Sequence, residues 1–325
     1  MKTRILPIIL ATVMCISLAA CGRTAENVTT DSSNSATSVS SDDFRTITDL
    51  AGNKIQIPAV SEIQRVVIIS PPVMSFVLET IPDTEMIVGI NPRAFTTSNT
   101  EIVNKVFPNW QTVNTSFIDA SFSVNAESLL ALKPDIIFYY GNIQKQGLGE
   151  ISIPSLDFRS AQNDPEAVSI EWGNLLREIF GLDSSGSLQV EWERTNETLS
   201  SLLKNQSDKK TALCIFSNAA GNITVSGTDS FDAYAQSFFE KAGIENVAAD
   251  IEGTAEVSIE QIYEWNPDMI FIFLDAPAQN ILNNSIDGQD WSLLDAWKNG
   301  LIYDIPRTTF SGLLLVQIRL YFLFG

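Results

Sequence analysis

Asn125 to Tyr140 reads NAESLLALKPDIIFYY, and 133 positions further on Ser258 to Phe273 reads SIEQIYEWNPDMIFIF. Glu127 and Glu260 occupy matched positions, as do Pro134 and Pro267, then Asp135 and Asp268, then an apolar run. Each copy opens on a residue suited to cap a helix, Asn125 or Ser258, whose side-chain oxygen accepts from a first-turn N–H. Each helix is stopped by its proline, which drives the preceding residue out of the helical region. Ile and Phe then make a strand. Each copy is therefore one helix–strand unit. Strands alternating with helices predict a parallel sheet covered on both faces. Two copies, on either side of a strand-free segment, predict two α/β lobes of similar build.

The chain has 325 residues, 45% of them hydrophobic, enough for two cores. Its net charge of −19 repels phosphate backbones and argues against nucleic-acid binding. Lys2 and Arg4 precede the apolar run Ile5 to Leu18, too short for an ordinary membrane span. Leu18-Ala19-Ala20-Cys21 resembles a bacterial lipobox, which implies a signal peptide at 1–20 and lipid attachment at Cys21. The plain alternative is a secretory signal with an incidental Cys. Removal of Lys2 and Arg4 would take the charge from −19 to −21. Of three cysteines, Cys214 alone would stay a free thiol, buried as a small hydrophobe, and no internal disulfide is expected.

Residues 21–43 are rich in Ser, Thr, Asn and Asp and read as an anchor and flexible tether. The first lobe spans 44–163. It holds a hairpin between ITDL and KIQIP, the strands RVVIIS, MIVGI and IPSLDF, and a helix from Met74 to Thr80. Residues 164–208 carry apolar positions at helical spacing with no strand, and about 184–206 reads as a long helix between lobes. The second lobe, 209–325, holds the strand TALCIF, a helix from Phe231 to Ala242 ended by Gly243, a helix from Asp290 to Lys298, and the strand LIYDI.

From Ile47 to Thr309 the chain resembles the substrate-binding proteins of ABC importers for iron–siderophore, haem and cobalamin. The resemblance rests on ITDLAGNKIQIP, RVVIIS, MIVGI, NAESLLALKPDIIF, KAGIENVAAD, VSIEQIYEWNPDMIF and WSLLDAWKNGLIYDIP, in that order. It implies an α/β fold of two Rossmann-like lobes with parallel-type sheets, joined by one long helix, with a ligand cleft between them. It also implies that Glu127 and Glu260 pair with arginines on a two-fold ABC permease. On physical grounds alone, a carboxylate in a helix's first turn already interacts well with the helix dipole.

Ligands of parallel α/β lobes bind beyond the carboxyl ends of strands. That rule selects Pro71, Pro72, Arg93, Tyr139, Tyr140 and Arg159 in the first lobe. In the second it selects Ser217, Asn218, Asp275, Arg307 and Phe310. A guanidinium grips carboxylate or catecholate oxygens bidentately. Each of Arg93 and Arg159 has the alternative of an ordinary exposed arginine or a local salt bridge. Tyr139 and Tyr140 alternate in direction if extended, so that one faces core and the other cleft, where it would stack on a chelate or ligate haem iron. The alternative is that both are core aromatics.

The chain contains no His, so a bare zinc or manganese ion is a poor cargo. A ligand that brings its own chelator fits better, a ferric siderophore ahead of haem or cobalamin, with no protein-held metal and no cofactor. No phosphate loop, GxGxxG, GxSxG elbow or His-based triad is present, which counts against an enzyme. An exported enzyme and a scavenger or sensor without a transporter are the competing readings. The last residues, Gly312 to Gly325, are strongly apolar where the resembled family continues with helices. A truncated or frame-shifted end is expected there, with a short native helix as the alternative.

Overall fold

The computed structural model describes residues 44–304, apart from 97, 99, 184–186, 205–208, 220, 229–233 and 276–277. Cys21, Arg307, Phe310 and the apolar end therefore lie outside the described residues.

The first lobe opens with the expected hairpin, β1 (Phe44–Thr48) and β2 (Lys54–Pro58), paired antiparallel. Asp49 makes the turn: its Oδ1 accepts from the N–H groups of Ala51 and Asn53 at 3.1 and 2.8 Å. There follow β3 (Val66–Ile68), α1 (Met74–Thr80), β4 (Ile87–Ile90), α2 (Arg93–Thr96), α3 (Thr100–Val106), α4 (Ala126–Ala131), β5 (Ile136–Tyr139), α5 (Gly141–Leu148) and β6 (Ser155–Asp157). The sheet order is β4-β3-β5-β6, with every pair parallel.

Alternation along the strands splits the core into two layers. Val66, Ile68, Ile136 and Phe138 face one layer, with Phe76 of α1. Val67, Ile69, Ile137 and Tyr139 face the other, with Leu129 of α4.

Two helices lead on from this lobe, α6 (Pro165–Ile179) and α7 (Leu188–Leu203). Asp164 caps α6 by accepting from Ala167 N, and Pro165 fills its first position. Trp172 of α6 sits edge-on to Phe76 at 5.2 Å. The expected connecting helix corresponds to α7.

The second lobe comprises β7 (Lys210–Ala219), β8 (Asn222–Ser226), α8 (Tyr234–Lys241), β9 (Ile244–Asn246), β10 (Thr254–Val257), α9 (Ile259–Trp265), β11 (Met269–Asp275), α10 (Ala278–Leu282), α11 (Asp295–Lys298) and β12 (Ile302–Asp304). Its sheet runs β10-β8-β7-β11-β12, with β9 also on β7. The pairs β7–β11, β11–β12 and β7–β9 are parallel, whereas β7–β8 and β8–β10 are antiparallel. This sheet is therefore mixed. Sequence reading passed over β8 and β10, whose short polar-flanked runs carry little apolar signal.

The helix expected from Asp290 to Lys298 is also corrected. Residues Trp291–Leu293 form one 3-10 turn, capped by Asp290. Leu294 is extended (φ −78°, ψ 142°) before the single turn of α11. The cause is local: the Trp291 ring is fully buried, and its Nε1 donates to Gln289 Oε1 at 3.1 Å. Cys214 is buried and free, as expected. Among the described residues, no helix is long and apolar enough to cross a membrane.

Candidate functional site

The carboxyl ends of the first lobe's strands form one edge. Beyond β3 come buried Ser70 and Pro71 and half-buried Pro72, which open a 3-10 turn into α1. Asn91, beyond β4, donates its N–H to Ile68 O at 2.9 Å, so it lies beside the end of β3. Asn91 Oδ1 in turn accepts from Arg93 N at 3.0 Å and starts α2. Beyond β5 and β6, buried Asp157 accepts from Gly141 N at 2.8 Å and from Arg159 N at 2.9 Å through one oxygen. That carboxylate fixes both strand ends.

Arg93 and Arg159 are both exposed at this edge. Among the described residues, neither guanidinium has a hydrogen-bond or ion-pair partner. The Arg93 guanidinium lies over the Phe122 ring, 5.3 Å from its centroid. Arg159 lies along Gly141, where a Cβ would come within 3.2 Å of Arg159 Cδ. By contrast, Arg45, Arg65 and Arg177 spend side-chain N–H groups on main-chain carbonyls. The same edge buries Ser70 Oγ, Ser75 Oγ and Asn91 Nδ2 without a partner among the described residues. Buried polar atoms of this kind are normally satisfied by a hydrogen bond.

The two tyrosines alternate as expected, but each enters one layer of the core. Tyr139 is only 4% exposed. Burial, and then the charges of Asp157 and Asp49, push its phenol up to about 12. It is thus a neutral core phenol and not an open phenolate ligand. Tyr140 is half-buried and packs edge-on to Trp172 at 6.2 Å.

In the second lobe Ser217 is half-buried in β7, in register with Asp275 of β11. Asn218 is 5% exposed, and its amide pairs with that of Gln289 at 3.0 and 3.3 Å. That pairing is a structural duty and takes Asn218 out of the open edge. Sequence reasoning missed Phe122, Asp157 and Gln289. Only the first carried a signal, the Asp-x-Ser turn formers on either side of it.

The repeated segments meet their structural expectations. Asn125 Oδ1 accepts from Ser128 N, and Ser258 Oγ accepts from Gln261 N. Glu127 and Glu260 are exposed in the first turns of α4 and α9. The Glu260 carboxyl is held below its ordinary range, first by its own backbone N–H and then by Ser258. The Pro-Asp carboxylates also repeat. Asp135 Oδ2 accepts from the N–H groups of Gln64 and Arg65 ahead of β3, each at 2.8 Å. Asp268 Oδ2 accepts from Thr211 N at 2.8 Å in β7.

A sequence model for a family described as periplasmic binding protein matches residues 117–309. The molybdate-binding protein MolA of Haemophilus influenzae is 28% identical over 210 residues, 57% of each chain. The Fe(3+)-citrate-binding protein YfmC of Bacillus subtilis is 24% identical over 191 residues, 58% of each chain. The matches thus span under two thirds of the length of these curated relatives. A crystal structure of a periplasmic solute binding protein from Veillonella parvula superposes with a TM-score of 0.69 at 26% identity, covering 82% of this chain and 80% of that one.

Proposed function

This chain belongs to the periplasmic binding protein family, and from that premise we propose that it is the extracytoplasmic substrate-binding component of an ABC importer for an anionic metal complex. The observation that carries the reading is the pair of guanidiniums, Arg93 and Arg159, without hydrogen-bond or ion-pair partners among the described residues at the carboxyl edge of the first sheet. In a chain of net charge −19, two arginines with no acid partner among the described residues, at the carboxyl edge of a sheet, are best explained by an anion they await. Ferric chelates with carboxylate or catecholate oxygens suit them, and the ferric-citrate relative supports that class. Haem or cobalamin would use the same edge less fully. The molybdate relative favours a second reading, a bare oxyanion, which the same donors also suit.

Delivery would run through Glu127 and Glu260 to a two-fold permease, and Cys21 would tether the body to the membrane by lipid. Both named relatives are binding proteins, which supports binding over catalysis.

Intrinsic tryptophan fluorescence, titrated with ferric citrate, ferric catecholates, haem, cobalamin and molybdate, tests the reading. Saturable quenching by a ferric chelate, lost in Arg93→Ala plus Arg159→Ala, is expected. Quenching by molybdate alone would select the second reading. No response to any of them would remove the ligand class.

A further inference from the structure

We propose that Phe122 is a positioning residue for the anion grip, carrying the Arg93 guanidinium on its ring so that the N–H edge stays free for an anion's oxygens. The inference rests on the reading of Arg93 as a ligand contact. A guanidinium lying over an aromatic ring keeps its in-plane donors available while its swing is restrained. Here the guanidinium carbon is 5.3 Å from the ring centroid.

The placement of Phe122 is itself costly. Its φ is 65°, in the left-handed region that a bulky side chain rarely adopts. The surrounding loop over-determines that conformation. Asp119 Oδ1 accepts from Ser121 N at 2.8 Å, Ser121 Oγ at 2.7 Å and Ser123 N at 2.9 Å. Phe122 N donates to Asp119 O at 3.1 Å, and Asp119 N to Ser123 O at 3.0 Å. The loop then seats on α5: a Cβ on Gly147 would lie 1.8 Å from Phe122 O, so any larger residue would displace it. At the other end of α5, Gly141 beds Arg159. One short helix thereby places both arginines, Arg159 directly and Arg93 through Phe122. Backbone strain maintained by this many contacts is what a site needing a fixed donor uses.

The test takes the full chain with ferric citrate and molybdate as probes, by calorimetric titration. Phe122→Leu is expected to weaken the bound probe about three-fold, in line with an exposed cation–π contact. Phe122→Tyr, which keeps the ring, should retain the affinity. In an Arg93→Ala background, Phe122→Leu should add nothing. A full effect of Phe122→Leu in that background would overturn the proposal, because Phe122 would then be acting as a wall. So would no effect in the parent chain. A ligand-free readout separates this from the functional reading. The Arg93 Nε–H resonance, shifted by the ring current, should relax in Phe122→Leu and not in Phe122→Tyr. An unmoved resonance overturns the stack. A chain that binds neither probe, nor a ferric catecholate, overturns the anion grip, even where the resonance confirms the stack.

Discussion

Lys133 and Asn266, at matched positions of the two repeats, hold the same left-handed backbone, with φ of 47° and 38°, immediately before Pro134 and Pro267. Proline excludes the right-handed helical region for its predecessor and normally sends it to extended backbone. Both lobes use the left-handed alternative, which turns the chain out of the helix just ahead of the strand. The cost differs between the copies. Asn tolerates this region, and the Asn266 amide is also tied to Asp295 at 2.9 and 3.0 Å. Lys133 has no such compensation through its side chain among the described residues. Lys133→Gly should therefore raise unfolding stability by about 0.5–1 kcal/mol in urea titration. Asn266→Gly should be neutral or destabilising. Equal gains at both sites would show that the Asp295 tie contributes nothing.

The Pro-Asp carboxylates offer a pH test. The Asp268 carboxyl is held below its ordinary value of 3.8, first by the Thr211 backbone N–H and, against desolvation, by the Thr211 hydroxyl and Lys210. A folded-state value below the unfolded one makes the carboxylate form stabilising above that unfolded value. The contribution is lost as pH falls through the folded value. Its side chain is 39% exposed, so the effect is modest. Asp268→Asn should cost about 1 kcal/mol at neutral pH. The gap from the parent chain should narrow as the solution is acidified past the carboxylate range. A gap constant with pH would mean that the charge is irrelevant.

Much of this architecture was legible because the repeats carry strong local chemistry: a cap, a proline stop and an apolar strand. Strands β8 and β10 were not legible, because β8 is placed by pairing with β7 and β10 by pairing with β8, and not by their own pattern. At the candidate site, the strand-end rule placed Arg93 and Arg159 at the carboxyl edge, where both lie exposed, since position after a strand is readable in sequence. It could not tell Asn218, committed to Gln289, from a free amide, nor see that Tyr139 points into a layer of core. Those outcomes depend on partners 71 and more residues away, or on which face of a sheet another helix covers.

Under the proposed docking, the matched acids call for a partner of matched symmetry. Glu127 and Glu260 are both exposed and stand in the first turns of equivalent helices. Replacing both with Ala should leave ligand affinity within about two-fold, because both lie on helices preceding the strands, away from the carboxyl edge. Uptake through the reconstituted permease should fall by about ten-fold or more, and each single change should give an intermediate loss. Uptake at parental rate in the double variant would remove the docking assignment.

The contact between the second lobe's α8 and the α6–α7 pair sets a final test. Lys241 of α8 meets Glu166 of α6 in a close ion pair and Asp164 at 3.7 Å. Ser237 donates to Asp164 at 2.5 Å, and Asn196 of α7 donates to both Glu166 oxygens at 3.0 and 3.1 Å. Beside this polar group, Trp192 of α7 stacks on Phe238 with centroids 6.4 Å apart. The Glu166 side chain is only 15% exposed, so Lys241 and Asn196 stand in for water around its carboxylate. Removing one member of such a pair leaves an uncompensated carboxylate, whereas removing both does not. Lys241→Met should cost about 1–2 kcal/mol, less than for a fully buried pair because Lys241 is itself 29% exposed. Adding Glu166→Gln, which keeps an amide for Asn196, should recover most of that loss. Urea unfolding of the two single variants and the double variant measures the coupling directly. Strict additivity would mean that the Lys241–Glu166 pair contributes no coupling to this contact.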